Sequence, residues 1–242
     1  MKRTIACLLT AALLAAPLAG CGQTSTPSSA AEATATPAAT AAPTPTPEPT
    51  ATPAPTATPE PVTYTPGVRT EDGYTNTSLG FLFSPSENMV LATEEEMQAL
   101  MQSGADFVYG DAPNSDQLME QVQQTAAYEL VAVDVATGSS VIIGTETLAM
   151  EGIDETQYIA AIQQQLSQVD AMQVTFDDPG TVTLGETTFT GVTYTAAANG
   201  MQSSQTMLLK KIGNTMCLIV LAYGDPTQYP ALLNCFTTIS AV

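Results

Sequence analysis

Between about residues 22 and 66 this chain cannot build a folded layer, which confines folding to the residues beyond it. Eleven of its 17 prolines fall in that interval, in runs such as TPTPEPTATPAPTATPEP. Proline locks φ and lacks the N–H that helix and sheet need. The interval also holds almost no aromatic or branched aliphatic side chain from which a core could form. A semi-extended polyproline II spacer is predicted, reaching on the order of 100 Å or more at about 3.1 Å per residue. Its dense threonines leave sugar attachment open beside the plain-spacer reading. Residues 67–242 remain, long enough to bury a proper core.

Upstream, Lys2 and Arg3 precede an apolar run over residues 5–16, and Leu18-Ala19-Gly20-Cys21 closes the segment. That order is the anatomy of a secretory signal peptide, and the run falls short of the roughly 18 apolar residues of a spanning helix. Leu-Ala-Gly-Cys resembles the lipobox of bacterial lipoproteins, in which the cysteine sulfur receives a diacylglyceryl group and the signal peptide is cut away before it. The resemblance implies a removed signal over residues 1–20, a lipidated Cys21 heading a tether through residue 66, and a globular domain over 67–242. One acyl chain holds a protein only marginally at a bilayer, whereas two or more hold it stably. The expected location is therefore extracytoplasmic, anchored in the cell membrane by lipid.

Charge narrows the partners. The formal net charge is −19, and loss of Lys2 and Arg3 with the signal takes it to −21, leaving Arg69, Lys210 and Lys211 as the only Lys or Arg. Phosphate contacts require Lys and Arg, so nucleic acid is a poor partner. Such a field favours cations, basic proteins, or simple solubility.

Within 67–242 the pattern alternates between strand-like and helix-like stretches. GYTNTSLGFLFSP (73–85) reads as a hairpin about residues 77–80. TEEEMQALMQSG is next, a helix with Thr93 as N-cap, Glu96 at the capping-box position and Gly104 as its stop. A second helix is predicted over residues 115–126, with Leu118 and Val122 inward. YELVAVDVA and SSVIIGTETLA read as strands about Thr137-Gly138. Beyond them, DETQYIAAIQQQLSQV is a helix capped by Asp154 and Gln157, with Tyr158, Ile159, Ile162, Leu166 and Val169 on one face. Four strand-like runs come after it: AMQVTFD, TFTGVTYTAAA, QSSQTMLLKK and TMCLIVLAY. Asn199-Gly200 is a strong hairpin signal, and the parity change between Phe189 and Val192/Tyr194 predicts a bulge at Gly191. A last helix, starting near Pro226 or Tyr229, carries Leu232, Leu233, Phe236 and Ile239. Hairpins in place of βα units imply an α+β domain, a mainly antiparallel sheet flanked by helices.

The opening Tyr74-x-Asn76-x-x-x-Gly80-Phe81-x-Phe83-x-Pro85, the Tyr158 helix, TLGETTFTGVTY and a closing Phe236-x-x-Ile239 resemble the PsbP-like α-β-α sandwich family. That family includes extrinsic photosystem subunits, a Ran-binding import factor and small bacterial lipoproteins of mostly unknown role. The resemblance spans nearly all of the domain, yet it is a pattern of fold-making residues without a catalytic motif. It implies no cofactor and no ligand set for a metal here, and fold alone does not confer function.

The chain contains no histidine, which removes Ser-His-Asp and Cys-His catalysis and His-containing zinc sites. Ser204 and Lys210 could share a strand face but would lie about 20 Å apart along it. GTETLAMEG lacks the ending of a phosphate-binding loop. Glu94-Glu95-Glu96 reads either as a cation site or as charge complementing a helix dipole. Asp177-Asp178-Pro179-Gly180 reads either as a calcium ligand set or as a turn. Asp111, Asn114, Asp116 and Glu120 loosely resemble a calcium loop without its glycine. Met97 and Met101 sit one turn apart, as copper(I) ligands or as core. Cys217 and Cys235 could form a disulfide, which a compartment outside the cytosol permits, or remain two buried thiols. The expectation is a non-enzymatic, tethered binding or accessory module with an envelope protein partner and no cofactor. An extracytoplasmic cation or small-solute binder is the alternative, and a carboxylate-driven hydrolase stands third.

Overall fold

The computed structural model describes residues 62–109, 115–148, 152–167, 173–198 and 201–239. Within these residues, two antiparallel sheets and four α-helices make an α+β domain. The smaller sheet contains β1 (Val68–Thr70), β2 (Gly73–Asn76), β3 (Phe81–Phe83) and β12 (Phe236–Thr238), in that order. The larger contains β4 (Met89–Leu91), β5 (Ala126–Asp134), β6 (Ser140–Thr147), β11 (Thr215–Tyr223), β10 (Met201–Ile212), β9 (Thr187–Ala198) and β7 (Gln173–Phe176). A further strand, β8 (Gly180–Leu184), pairs with β9 along the edge that β7 also uses. The sequence pattern missed β8, because its Gly-Thr-Val-Thr-Leu run has one buried side chain and no strong alternation.

The large sheet is buried on both faces. On one, Met207, Leu209, Met216, Leu218 and Val220 meet α1 (Glu94–Tyr109), α2 (Ser115–Thr125) and α3 (Glu155–Leu166). On the other, Leu208, Cys217, Ile219 and Leu221 meet the small sheet and α4 (Tyr229–Leu233). Burial on both sides makes β11 a continuous apolar run, CLIVLAY, in place of an alternating one. The hairpin aromatics fill the second face: Phe236 lies 5.2 Å from Phe81, edge-on, and 5.1 Å from Phe83.

Several local expectations hold. Thr93 and Glu96 form the reciprocal cap of α1, and Asp154 and Gln157 that of α3. Tyr158, Ile159, Ile162 and Leu166 are buried, while Val169 lies outside the described residues. Asn199-Gly200 also lies outside them, between β9 and β10, whose register begins with Ala198 opposite Met201.

Three expectations are corrected. Helix α1 continues past Gly104 to Tyr109, because Ala105 packs into the core at 1 % exposure; that burial outweighs a mid-helix glycine penalty of about 1 kcal/mol. Gly191 is no bulge, for Thr190, Gly191 and Val192 pair with Leu209, Leu208 and Met207 without a break. The parity change is real, but it arises because Phe189 serves one buried face and Val192 and Tyr194 the other. The bulge falls instead between Tyr128 and Leu130. Finally, the closing helix stops at Leu233, and Phe236 lies on β12, paired with Phe83.

Candidate functional site

The bulge in β5 turns Glu129 toward the point where the chain enters the domain. Its carboxylate accepts from the Tyr64 hydroxyl at 2.8 Å, the Gly67 amide at 2.9 Å and the Tyr74 hydroxyl at 2.5 Å. Asn76 Nδ2 donates to both phenolic oxygens at 2.7 Å, and its Oδ1 takes the Leu79 amide at 2.9 Å. Burial, followed by the neighbouring Glu129, pushes the Tyr74 phenol well above the ordinary tyrosine range, and burial is also the largest cause of the rise at Tyr64. Both phenols therefore stay protonated and donate at neutral pH. The Tyr-x-Asn motif thus ties residues 64–67 to the sheet. Its polar groups are used up by one another, which makes it a structural fastening.

A second carboxyl lies beneath α3. Glu146, on β6 and 7 % exposed, accepts from the Tyr158 hydroxyl. Burial raises its pKa to about 8, and the Tyr158 bond only partly opposes that shift. The same face holds two buried polar atoms without a hydrogen-bond partner among the described residues, the Tyr128 hydroxyl and Gln205 Nε2. The Oε1 of Gln205 accepts from Tyr194 at 2.8 Å.

The described surface opens into a groove of about 570 Å³ between α1 and α2. Met101, Ala105 and Val122 line its base, the last two only 1 % exposed, and the exposed Glu95, Gln98 and Gln123 stand around it. Gln123 Nε2 donates to Gln102 Oε1 at 2.9 Å, joining the two helices. Sequence reasoning placed Val122 inward on the second helix but did not find the groove, which depends on how the two helices sit beside each other.

The candidate residues are scattered. Glu94, Glu95 and Glu96 occupy the first turn of α1, and Glu96 is engaged with Thr93 as its cap. Asp177 and Asp178 lie in the short link between β7 and β8, where the Asp177 amide donates to Thr193 O. Asp111 and Asn114 lie outside the described residues, while Asp116 and Glu120 are exposed on α2. Met97 is in the core, and Arg69 Nη1 donates to its sulfur at 3.5 Å. Ser204 and Lys210 sit on β10, opposite Tyr223 and Cys217. Among the described residues no group of three His, Cys, Asp or Glu is placed to hold a metal ion. No described helix is long and apolar enough to cross a membrane. Cys21 lies outside the described residues.

Cys217 and Cys235 are free thiols. Cys217 pairs through Thr145 with Ala127, near the start of β5, whereas Cys235 feels Asp134 at its end. Of the two alternatives the sequence left open, the structure carries the two buried thiols. Burial pushes the Cys217 thiol up to about 12 and raises that of Cys235, so neither is a ready nucleophile.

No family model and no curated relative matches the chain. Among solved structures it is similar to cyanobacterial PsbP (CyanoP) from Synechocystis sp. PCC 6803. That match has a TM-score of 0.39 and 9 % identity, over 73 % of this chain and 98 % of the other. It is also similar to LpqN, involved in cell envelope biogenesis of Mycobacterium tuberculosis, with a TM-score of 0.31 and 14 % identity, over 48 % of this chain and 79 % of the other.

Proposed function

We propose that this protein is a lipid-anchored, extracytoplasmic lipoprotein whose PsbP-like head is a non-catalytic binding or accessory module of the cell envelope. The observation that carries the reading is the adjacency of Leu18-Ala19-Gly20-Cys21 to the proline-rich interval: an acylation site followed at once by a spacer. Support also comes from the other end of that spacer, where Tyr64 and Gly67 are held by Glu129. A head fastened there is carried by the tether as a unit. The lack of histidine and the use of Tyr64, Tyr74, Glu129 and Glu146 for internal hydrogen bonds favour binding over catalysis.

Mass spectrometry of chain purified from membranes tests the anchor. A mature chain beginning at Cys21 and carrying a diacylglyceryl group is expected, and Cys21→Ser should abolish that mass. A bare Cys21, or residues 1–20 still attached, overturns the reading.

A further inference from the structure

We propose that residues 62–67 are a strap that opens as one unit while the rest of the domain stays folded, uncovering a polar pocket made by Glu129, Tyr74 and Asn76. The proposal goes beyond the reading of the head as a binding module and uses nothing of the anchor. None of these six residues belongs to a helix or strand. Val62, Thr63, Thr65 and Pro66 are exposed, while Tyr64 and Gly67 are half-buried. Two clips hold the segment down. In the first, the Tyr64 hydroxyl and the Gly67 amide donate to Glu129, and the Tyr64 oxygen accepts from Asn76 Nδ2 at 2.7 Å. In the second, the Thr65 amide donates to Ser78 Oγ at 3.0 Å, and the Ser78 hydroxyl donates to Thr65 O at 3.1 Å. Thr65 lies between the two residues that Glu129 holds, so the clips open together.

What lies beneath is built differently. Tyr74 and Asn76 are 1 % and 0 % exposed, and they stay bonded to each other and to Glu129 without help from the strap. Asn76 Oδ1 also holds the Leu79 amide. The pocket thus belongs to the β2–β3 hairpin and to β5, and the strap is laid over it. Of residues 62–67, Tyr64 alone packs against the core. A segment with so little buried apolar surface and such exposed hydrogen bonds opens locally at a free energy well below that of global unfolding. Released, the six residues add about 20 Å of reach at roughly 3.5 Å each. Glu129 then loses two of its three donors, so the open strap frees acceptor positions that the closed strap fills.

Hydrogen exchange of the full chain in detergent, resolved at single amides and followed across low urea, tests the proposal. The Thr65 and Gly67 amides should share one protection factor, at least about a hundredfold below that of Ile219 in β11, with little dependence on urea. The Leu79 amide should stay more protected than either. Tyr64→Phe removes a donor to Glu129 and should lower protection at Thr65 and Gly67 about tenfold. Gly67→Ala puts a methyl group 2.3 Å from the buried Tyr74 ring and should lower it at Thr65 at least as much. Ile162→Val, in the core under α3, weakens closed and open states alike; it should lower protection at Ile219 severalfold and leave Thr65 and Gly67 unchanged. Exchange of Thr65 and Gly67 with the protection and urea dependence of Ile219, or a fall at both in Ile162→Val, overturns the proposal. So do unequal protection of the two amides, no protection at either, Leu79 opening with them, or no effect of Tyr64→Phe. Any of these leaves the anchor and module reading standing, and a bare Cys21 leaves the strap standing.

Discussion

Glu129 is the extra residue of a bulge, and it accepts from two phenols and one amide. Glu129→Ala leaves three donors without their acceptor, at about 1–3 kcal/mol for each that stays dry. Urea denaturation should show a loss on the order of 3 kcal/mol, and proteolysis should reach residues 62–67 sooner. Glu146 poses the opposite problem, a carboxyl that is stable while it keeps its proton. Its pKa is about 8 in the folded chain against an ordinary 4.5, so the folded state holds the proton more tightly than the unfolded state. Its contribution is complete below pH 4.5 and is lost as pH rises toward about 8, at up to about 1.4 kcal/mol per unit. Denaturation midpoints at pH 5, 7 and 9 should fall in that order, and Glu146→Gln should flatten that part of the profile. Neither role was legible in the sequence, where Glu129 and Glu146 are ordinary acids in strand-like runs. A buried carboxyl is recognised only by what covers it.

Turns and caps were the most legible elements, because their chemistry is local. The caps of α1 and α3 and the hairpin of β2 and β3 could be read from a few adjacent residues. What the hairpin turn touches could not. Gly80, at φ +67°, is approached by the β8–β9 turn, where Gly185 has φ +57°. A Cβ at Gly185 would stand 2.3 Å from Gly80 O, whereas one at Gly138, at φ +76°, would meet nothing within 4 Å. Gly138→Ala should therefore show only the cost of positive φ, about 1 kcal/mol, and Gly185→Ala a larger loss on the order of 2–3 kcal/mol. Thermal unfolding of the two variants checks the ranking. Element ends at Gly104 and Leu233 were misread because breakers and stripes are weak signals against tertiary packing. Gly191 shows the same limit: Leu208 and Val182 lie 3.1 and 3.5 Å from where its Cβ would be, so it serves close packing across strands.

At the scale of the whole molecule, the thiols provide a direct check on layer assignment. Mature chain acylated at Cys21 should expose almost no thiol to a disulfide-exchange reagent while folded, and two after unfolding without reductant, because Cys217 and Cys235 are buried and unbonded. Zero thiols after unfolding would show the two cysteines joined and refute the free-thiol state. The sequence by itself determined the helix caps, most of the helices and strands, and the sign of the net charge. Proline content, side-chain period and charge act over a few residues and need no knowledge of distant ones. Only the tertiary structure decided which face of each strand meets helices and which meets the small sheet, because strands buried on both sides lose the alternation that would say. It also decided that Cys217 lies inside the large sheet, paired with Thr145, and that two amphipathic helices leave an open groove. Burial and proximity are set by segments remote in sequence, whose packing no local pattern encodes.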